Sequence, residues 1–152
     1  MRRVRRDPRP HTGIRPVSDV IVEADGGARG NPGPAGYGAV VKSATGDVLA
    51  ERKAALGITT NNVAEYQGLI AGLAAARDLG ATTVTVRMDS KLVVEQMSGR
   101  WQIRHPALRA LADTAGGLAA GFDTIGYEWI PRERNGHADR LANEAMDAAL
   151  HE

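Results

Sequence analysis

The stretch "EADGGARGNPGPAGYGAVV", Glu23 to Val41, decides the fold. It joins a short apolar run, Val20 to Ala24, to a second one, "AGYGAVVKSA", through a segment dense in Gly and Pro. Such a segment is turn chemistry between two strands. A third run, "GDVLAERKAAL", follows a turn at Thr45 and Gly46. Links this short predict an antiparallel meander, because parallel neighbours need a crossover of about a dozen residues or more. One acid, Asp25, stands directly after the first run and before Gly26, Gly27 and, soon after, Gly30. By itself it reads as a turn residue.

Downstream of the meander the period changes. After "TTNN", Tyr66, Leu69, Ile70, Leu73 and Ala76 fall on one face of a helix that Gly80 stops. "TTVTVRM", Thr82 to Met88, reads as a strand, and Asp89 follows it. "SKLVVEQMSG" predicts a short helix ending at Gly99, and Pro106 opens another through "ALRALADTAGGLAA". "TIGYEWIP" is a last strand stopped by Pro131, with Trp129 expected in the core. "HADRLANEAMDAAL" predicts an amphipathic helix with Leu141, Ala145, Met146 and Ala149 inward. Strands followed by alternating helix and strand give an α/β domain with a mixed sheet. Its ligands would gather at the carboxyl ends of the strands.

At 152 residues the chain suits one domain with a sizeable core. It has no cysteine, which excludes disulfides, thiolate metal sites and cysteine nucleophiles and fits a reducing compartment. No apolar run is long enough to span a membrane. The net charge of +1 hides an asymmetry: residues 1–18 hold six arginines and one acid, while the remainder holds 13 basic and 17 acidic residues. The tail, with three prolines and no periodicity, reads as disordered. It is either a solvated extension or an arm for a polyanion such as nucleic acid.

Four acids stand out, each with an ordinary explanation. Asp25 can be a turn residue. Asn62 can cap a helix with Glu65 three residues on, an approximate capping box. Asp89 or Ser90 can cap the short helix. Asp139, in a first helical turn, favours the helix dipole. Together, however, they would meet near one edge of the sheet, two at strand ends and two in first helical turns. Carboxylates about 4 Å apart repel, and one would take up a proton. Divalent cations remove that conflict, and hard oxygen ligands without Cys suit Mg²⁺ or Mn²⁺. Glycines beside the acids would leave room for a phosphate backbone.

The ordered set "DGGARGNPGPAGYG", "TTNNVAEYQGL", "MDSKLVVEQM" and "HADRLANEA" resembles the type I ribonucleases H, over about Val20 to Leu150. The stretch "SKLVVEQMSGRWQIRHPAL" is most similar to the compact bacterial subgroup, actinobacterial members above all, which lacks an inserted basic handle. The resemblance implies a five-stranded mixed sheet, three antiparallel strands then two parallel, with helices on both faces, in residues 19–152. It implies a cytoplasmic, monomeric endonuclease that cuts the RNA strand of RNA–DNA hybrids with two Mg²⁺ ions, or Mn²⁺ in their place. The products would carry 5′-phosphate and 3′-hydroxyl ends. Asp25 would bridge both ions, Asp139 would help hold the one at the attacking water, and Glu65 and Asp89 would hold the other. Glu65, with backbone near Gly26 and Gly27, would sense the ribose 2′-OH. Asn31, Asn61 and Asn62 match minor-groove contacts, and Thr60 matches a phosphate contact. Some actinobacterial relatives continue into a phosphatase-like second domain.

The sequence departs from the family at Lys91, where Gln is frequent, and in a shortened loop, "PRERNGHAD". His137 is the candidate for the family's product-releasing histidine, with a plain first-turn helix residue as the alternative. The alternative lining of that loop is Arg132, Glu133 and Arg134. Trp101 either packs under its loop or stacks on the DNA strand, the second favoured by the flanking Arg100 and Arg104, which with Lys91 would form a basic track. Competing classes are a hybrid-binding module without cleavage, a related polynucleotidyl transferase and a purely structural domain.

Overall fold

The computed structural model describes residues 18–150, with side chains as far as 148. The basic tail, apart from Ser18, lies outside the described residues, and so does the side chain of Ala149. Strands β1 (Asp19–Ala28), β2 (Gly33–Ser43), β3 (Val48–Thr59), β4 (Thr83–Met88) and β5 (Thr124–Trp129) form one sheet in the order β3-β2-β1-β4-β5. The meander β1–β2–β3 is antiparallel, while β4 pairs parallel with both β1 and β5. Helices α1 (Asn61–Asp78), α2 (Lys91–Met97), α3 (Pro106–Ala119) and α4 (Gly136–Leu150) complete it, with a 3₁₀ turn at Arg132–Arg134 before α4. This is the mixed α/β architecture expected.

Alternation along the strands sorts side chains to two faces. Val20, Val22 and Ala24 of β1 and Val84, Val86 and Met88 of β4 pack with Tyr66, Leu69 and Leu73 of α1 and Leu108 and Ala115 of α3. Fully burying one of these leucines stabilises the fold by roughly 1.5–3 kcal/mol. Leu141, Ala142, Ala145 and Met146 of α4 are buried on the opposite face. Both helix layers sit very close to the sheet. A Cβ on Gly26 would lie 2.3 Å from the Ala64 carbonyl carbon of α1. One on Gly38 would lie 2.5 Å from the Ala138 oxygen of α4. At Gly26, then, the missing side chain makes room for a helix rather than for a ligand.

Three local readings need correction. First, β1 does not stop at Ala24: β2 supplies a continuous partner, with Asp25 opposite Gly38 and Gly26 opposite Tyr37, so the glycines stay in the ladder. Second, α1 starts earlier than the capping-box reading allows. Thr60 is its N-cap, in extended conformation, and its side chain accepts from Val63 N at 3.3 Å. Glu65 therefore falls in the second turn, and a capping box no longer accounts for it. Third, Trp129 is not core. It ends the edge strand β5 opposite Met88 and is 48% exposed.

Candidate active site

The parallel ladder between β1 and β4 ends at Glu23 and Arg87. Beyond it β1 runs on with β2 alone, and β4 leaves the sheet at Met88. The order also reverses here, since β1 leads to β2 and β3 on one side, and the chain then returns from β3 through α1 to β4 on the other. An open sheet makes its ligand crevice at such a switch point. Asp25 stands on one lip and Asp89 on the other. A cleft of about 280 Å³ opens between them, lined by all four acids, the backbone of Gly26 and Gly27, and Arg132.

Asp25 shares its sheet face with Gly38, its cross-strand neighbour, and that face carries α4. The absence of a side chain at Gly38 lets α4 approach and brings Asp139, in the first turn, to Asp25. Asp25 is 8% exposed. Burial, then Asp89, then a hydrogen bond and the charge of Asp139 raise its pKa to about 8, against a smaller lowering by the Gly26 N–H. Two carboxyl groups can share a hydrogen bond only if one keeps its proton.

Glu65 arrives from α1. Ser90 donates to Glu65 Oε1 at 3.0 Å and accepts from Val93 N at 3.2 Å, so one hydroxyl caps α2 and ties Glu65 beside Asp89. Burial raises the Glu65 pKa to about 7; the Ser90 bond opposes this and the Asp89 charge adds to it. Arg132 Nη2 lies 3.5 Å from Asp139 Oδ1 across the mouth of the cleft.

Of the expected contact residues, Asn61 lines this cleft, and Asn31, Thr60 and Asn62 adjoin it. Asn31 Oδ1 accepts from Asn61 N at 3.0 Å, and Asn61 Oδ1 accepts from Ala28 N at 2.8 Å. These bonds fix both amides, with each oxygen spent on backbone and each NH₂ left as a donor. Thr60 caps α1 next to them, and Asn62 is exposed in the same first turn. Lys91 is exposed at the start of α2, its Nζ 5.7 Å from the Trp129 ring centre. Trp129 Nε1 donates to the Asp89 main-chain oxygen at 3.2 Å, so this exposed ring borders the acids.

Other expected residues lie elsewhere. Trp101 is 46% exposed in a separate groove with Gln102, Ile103, Arg104, Arg109 and Asp113. Arg100 is held by the buried Glu95 at 2.6 Å, which removes much of its charge from the proposed track. His137 does not line the cleft: its Nε2 bonds Glu51 Oε2 on β3.

Sequence reasoning missed Asn135. It is fully buried between β1, Asp89 and α4. Its signal was present, since Asn just before an amphipathic run is a strong capping type. Its Oδ1 has no partner among the described residues.

Comparison with known proteins agrees with this geometry. The family described as reverse transcriptase-like matches residues 23–145. The "Bifunctional protein Rv2228c" of Mycobacterium tuberculosis is 66% identical over 131 residues, 86% of this chain and 36% of that protein. This chain thus spans about a third of that relative's length. The solved N-terminal RNase H domain of the same protein superposes with TM-score 0.87 at 64% identity, covering 88% of this chain and 97% of that one. A "Ribonuclease H" of Hydrogenovibrio crunogenus is 32% identical over 86% of this chain and 97% of its own length. LC11-RNase H1, solved in complex with RNA/DNA hybrid, gives TM-score 0.82 at 43% identity, covering 86% and 99%. Sheet order, acid placement and these likenesses converge: the chain belongs to the type I ribonuclease H family.

Proposed function

We propose that this domain hydrolyses the RNA strand of RNA–DNA hybrids with two divalent cations, leaving 5′-phosphate and 3′-hydroxyl ends. The observation that carries the proposal is Asp25, a carboxyl that its burial, and then two neighbouring acids, hold protonated near neutral pH. Such a group is costly to a fold unless cations complete the site. Among the described residues no group of three or more acid or imidazole side chains is gathered closely enough to hold a metal by itself; Mg²⁺ keeps several waters and takes substrate phosphates as further ligands. Asp25 and Asp139 would hold one ion, and Asp25, Glu65 and Asp89 the other. When bound, the pair supplies Lewis-acid charge at the scissile phosphate and at the attacking and leaving oxygens.

The chain's own residues supply selectivity. The fixed amides of Asn31 and Asn61 present donors, and a minor groove offers base acceptors that such donors can meet. Glu65 spends one oxygen on Ser90 and keeps the other as an acceptor for a ribose 2′-OH, the group that separates RNA from DNA. Gly26 and Gly27 bring backbone, not side chains, to that strand. Thr60 at the α1 N-terminus suits a phosphate of the DNA strand. Lys91 and the outlying Trp101 extend the track, the latter by stacking. The hybrid complex of LC11-RNase H1 supports the substrate class. No helix of the described residues is long and apolar enough to cross a membrane, and we place the domain in the cytoplasm as a monomer. The bifunctional M. tuberculosis relative supports a fused second domain in the whole protein.

The deciding experiment labels one strand in matched RNA–DNA, RNA–RNA and DNA–DNA duplexes, with Mg²⁺, Mn²⁺ or EDTA. RNA should be cut in the hybrid alone and only with metal. Tight hybrid binding without cutting, or equal cutting of all three duplexes, would overturn the proposal. His137, facing β3, is not assigned to product release. His137→Ala should change steady-state turnover by no more than about twofold. A large drop in turnover with an unchanged single-turnover rate would restore that role.

A further inference from the structure

The acids come from four separate elements, so something must hold the tips of those elements together. Asn135 occupies the place where three of them meet. It is 0% exposed. Its Nδ2 donates to the Ala24 carbonyl, one residue before Asp25, at 2.9 Å. The same nitrogen lies 3.4 Å from Asp89 Oδ1. Its own main-chain carbonyl accepts from Asp139 N at 3.0 Å, in the first turn of α4. One buried residue therefore touches the backbone beside Asp25, the carboxylate of Asp89 and the backbone of Asp139.

The chemistry required at this point is narrow. Both Ala24 O and Asp89 Oδ1 are acceptors, so the group between them must offer two N–H donors. It must also be neutral, because a cation here would compete with metal for Asp89 and a further carboxylate would repel it. A primary amide meets both conditions. The amide cannot turn over, since its oxygen would then face two acceptors. Its Oδ1 has no partner among the described residues, so the geometry of the site is set through Nδ2.

We infer that Asn135 is a positioning residue of the metal site: by donating to Ala24 O and Asp89 Oδ1 it sets the gap between the β1 and β4 lips and orients Asp89 toward the cleft. This rests on the metal assignment proposed above. Outer residues that orient metal-binding carboxylates typically change metal affinity by about 10–100-fold when removed.

The test is Mn²⁺ binding without nucleic acid, by calorimetry, for the parent, Asn135→Ala, Asn135→Ser and Leu108→Ala. Leu108 lies in the α3 layer, away from the cleft, and serves as a destabilised control. Asn135→Ala should weaken Mn²⁺ binding about tenfold or more. Asn135→Ser, which keeps one donor and serves if the alanine variant fails to fold, should fall between it and the parent. Leu108→Ala should bind Mn²⁺ like the parent despite melting earlier. In hybrid cleavage at saturating metal, Asn135→Ala should lower kcat with KM unchanged. Parent-like Mn²⁺ binding in both Asn135 variants would refute the inference and leave the metal site standing. Equal weakening in Leu108→Ala would reduce Asn135 to a stability residue. A parent that binds no Mn²⁺ would overturn the metal assignment itself, and this inference with it.

Discussion

Asp25→Asn is expected to abolish hybrid cleavage, leave the domain folded, and raise its melting temperature in EDTA at pH 8. The loss of activity follows from the place of Asp25 between the other acids. If it contributes several kcal/mol through bound cations, the loss is about 10³-fold or more. The gain in stability follows from linkage. The folded-state pKa of Asp25 is raised from 3.8 to about 8. Between those values the metal-free folded protein holds a proton that the unfolded chain has released. Stability therefore falls as pH rises through that window and levels off above it. Asparagine has no proton to lose, so the variant escapes the decline. Its advantage should be small near pH 4 and largest at pH 8 and above, where it amounts to roughly a few kcal/mol. Glu65, raised from 4.5 to about 7, keeps a weaker decline of the same sign in the variant. Melting curves from pH 4 to 9 in EDTA, and again with Mn²⁺, would check both parts. With Mn²⁺ the order should invert, because the parent then gains stability from binding. Normal cleavage by the variant would sink the site assignment.

Gly26→Ala should be the more damaging change to the fold. The added carbon would lie 2.3 to 2.5 Å from three backbone atoms of Ala64 and Glu65. Backbone cannot move aside as a flexible side chain can, so α1 must shift as a body. Overpacking typically costs about 1–3 kcal/mol, and a contact this close belongs at or beyond the upper end. The shift also displaces Glu65, so cleavage should fall more than stability alone explains. Urea unfolding would show a lower midpoint with little change in slope. An unchanged midpoint would mean that α1 sits less tightly on β1 than described.

The meander was legible because Gly and Pro mark its turns, and α1 because Tyr66, Leu69 and Leu73 repeat at helical spacing. All four acids were legible as a set through motif order. What failed was local and has physical causes. The Asn62 reading missed that Thr60, already extended, takes the cap and moves Glu65 into the second turn. Trp129 looked like core because its strand is apolar, but an edge strand is covered only where a helix reaches it. Gly26 looked like space for a ligand because the chain alone does not show which helix lies over which strand. Asn135 could be read as a helix cap but not as part of the site, because its partners, Ala24 and Asp89, are remote in sequence and no periodicity links them.

The placement of Asp139 on the last helix has a consequence for how the protein comes into being. The β1–β2–β3 meander and α1 leave the ribosome first, and local pairs of this kind can form early. By then Asp25 and Glu65 are present, and Asp89 joins them once β4 has paired with β1. The fourth acid comes only with α4, whose contacts to β1 and β2 close across most of the chain, the slowest kind of contact to make. A nascent or truncated domain can thus own a nearly finished sheet and still be catalytically silent. Activity of the proposed kind would, in this arrangement, report that the domain has folded as far as its last helix.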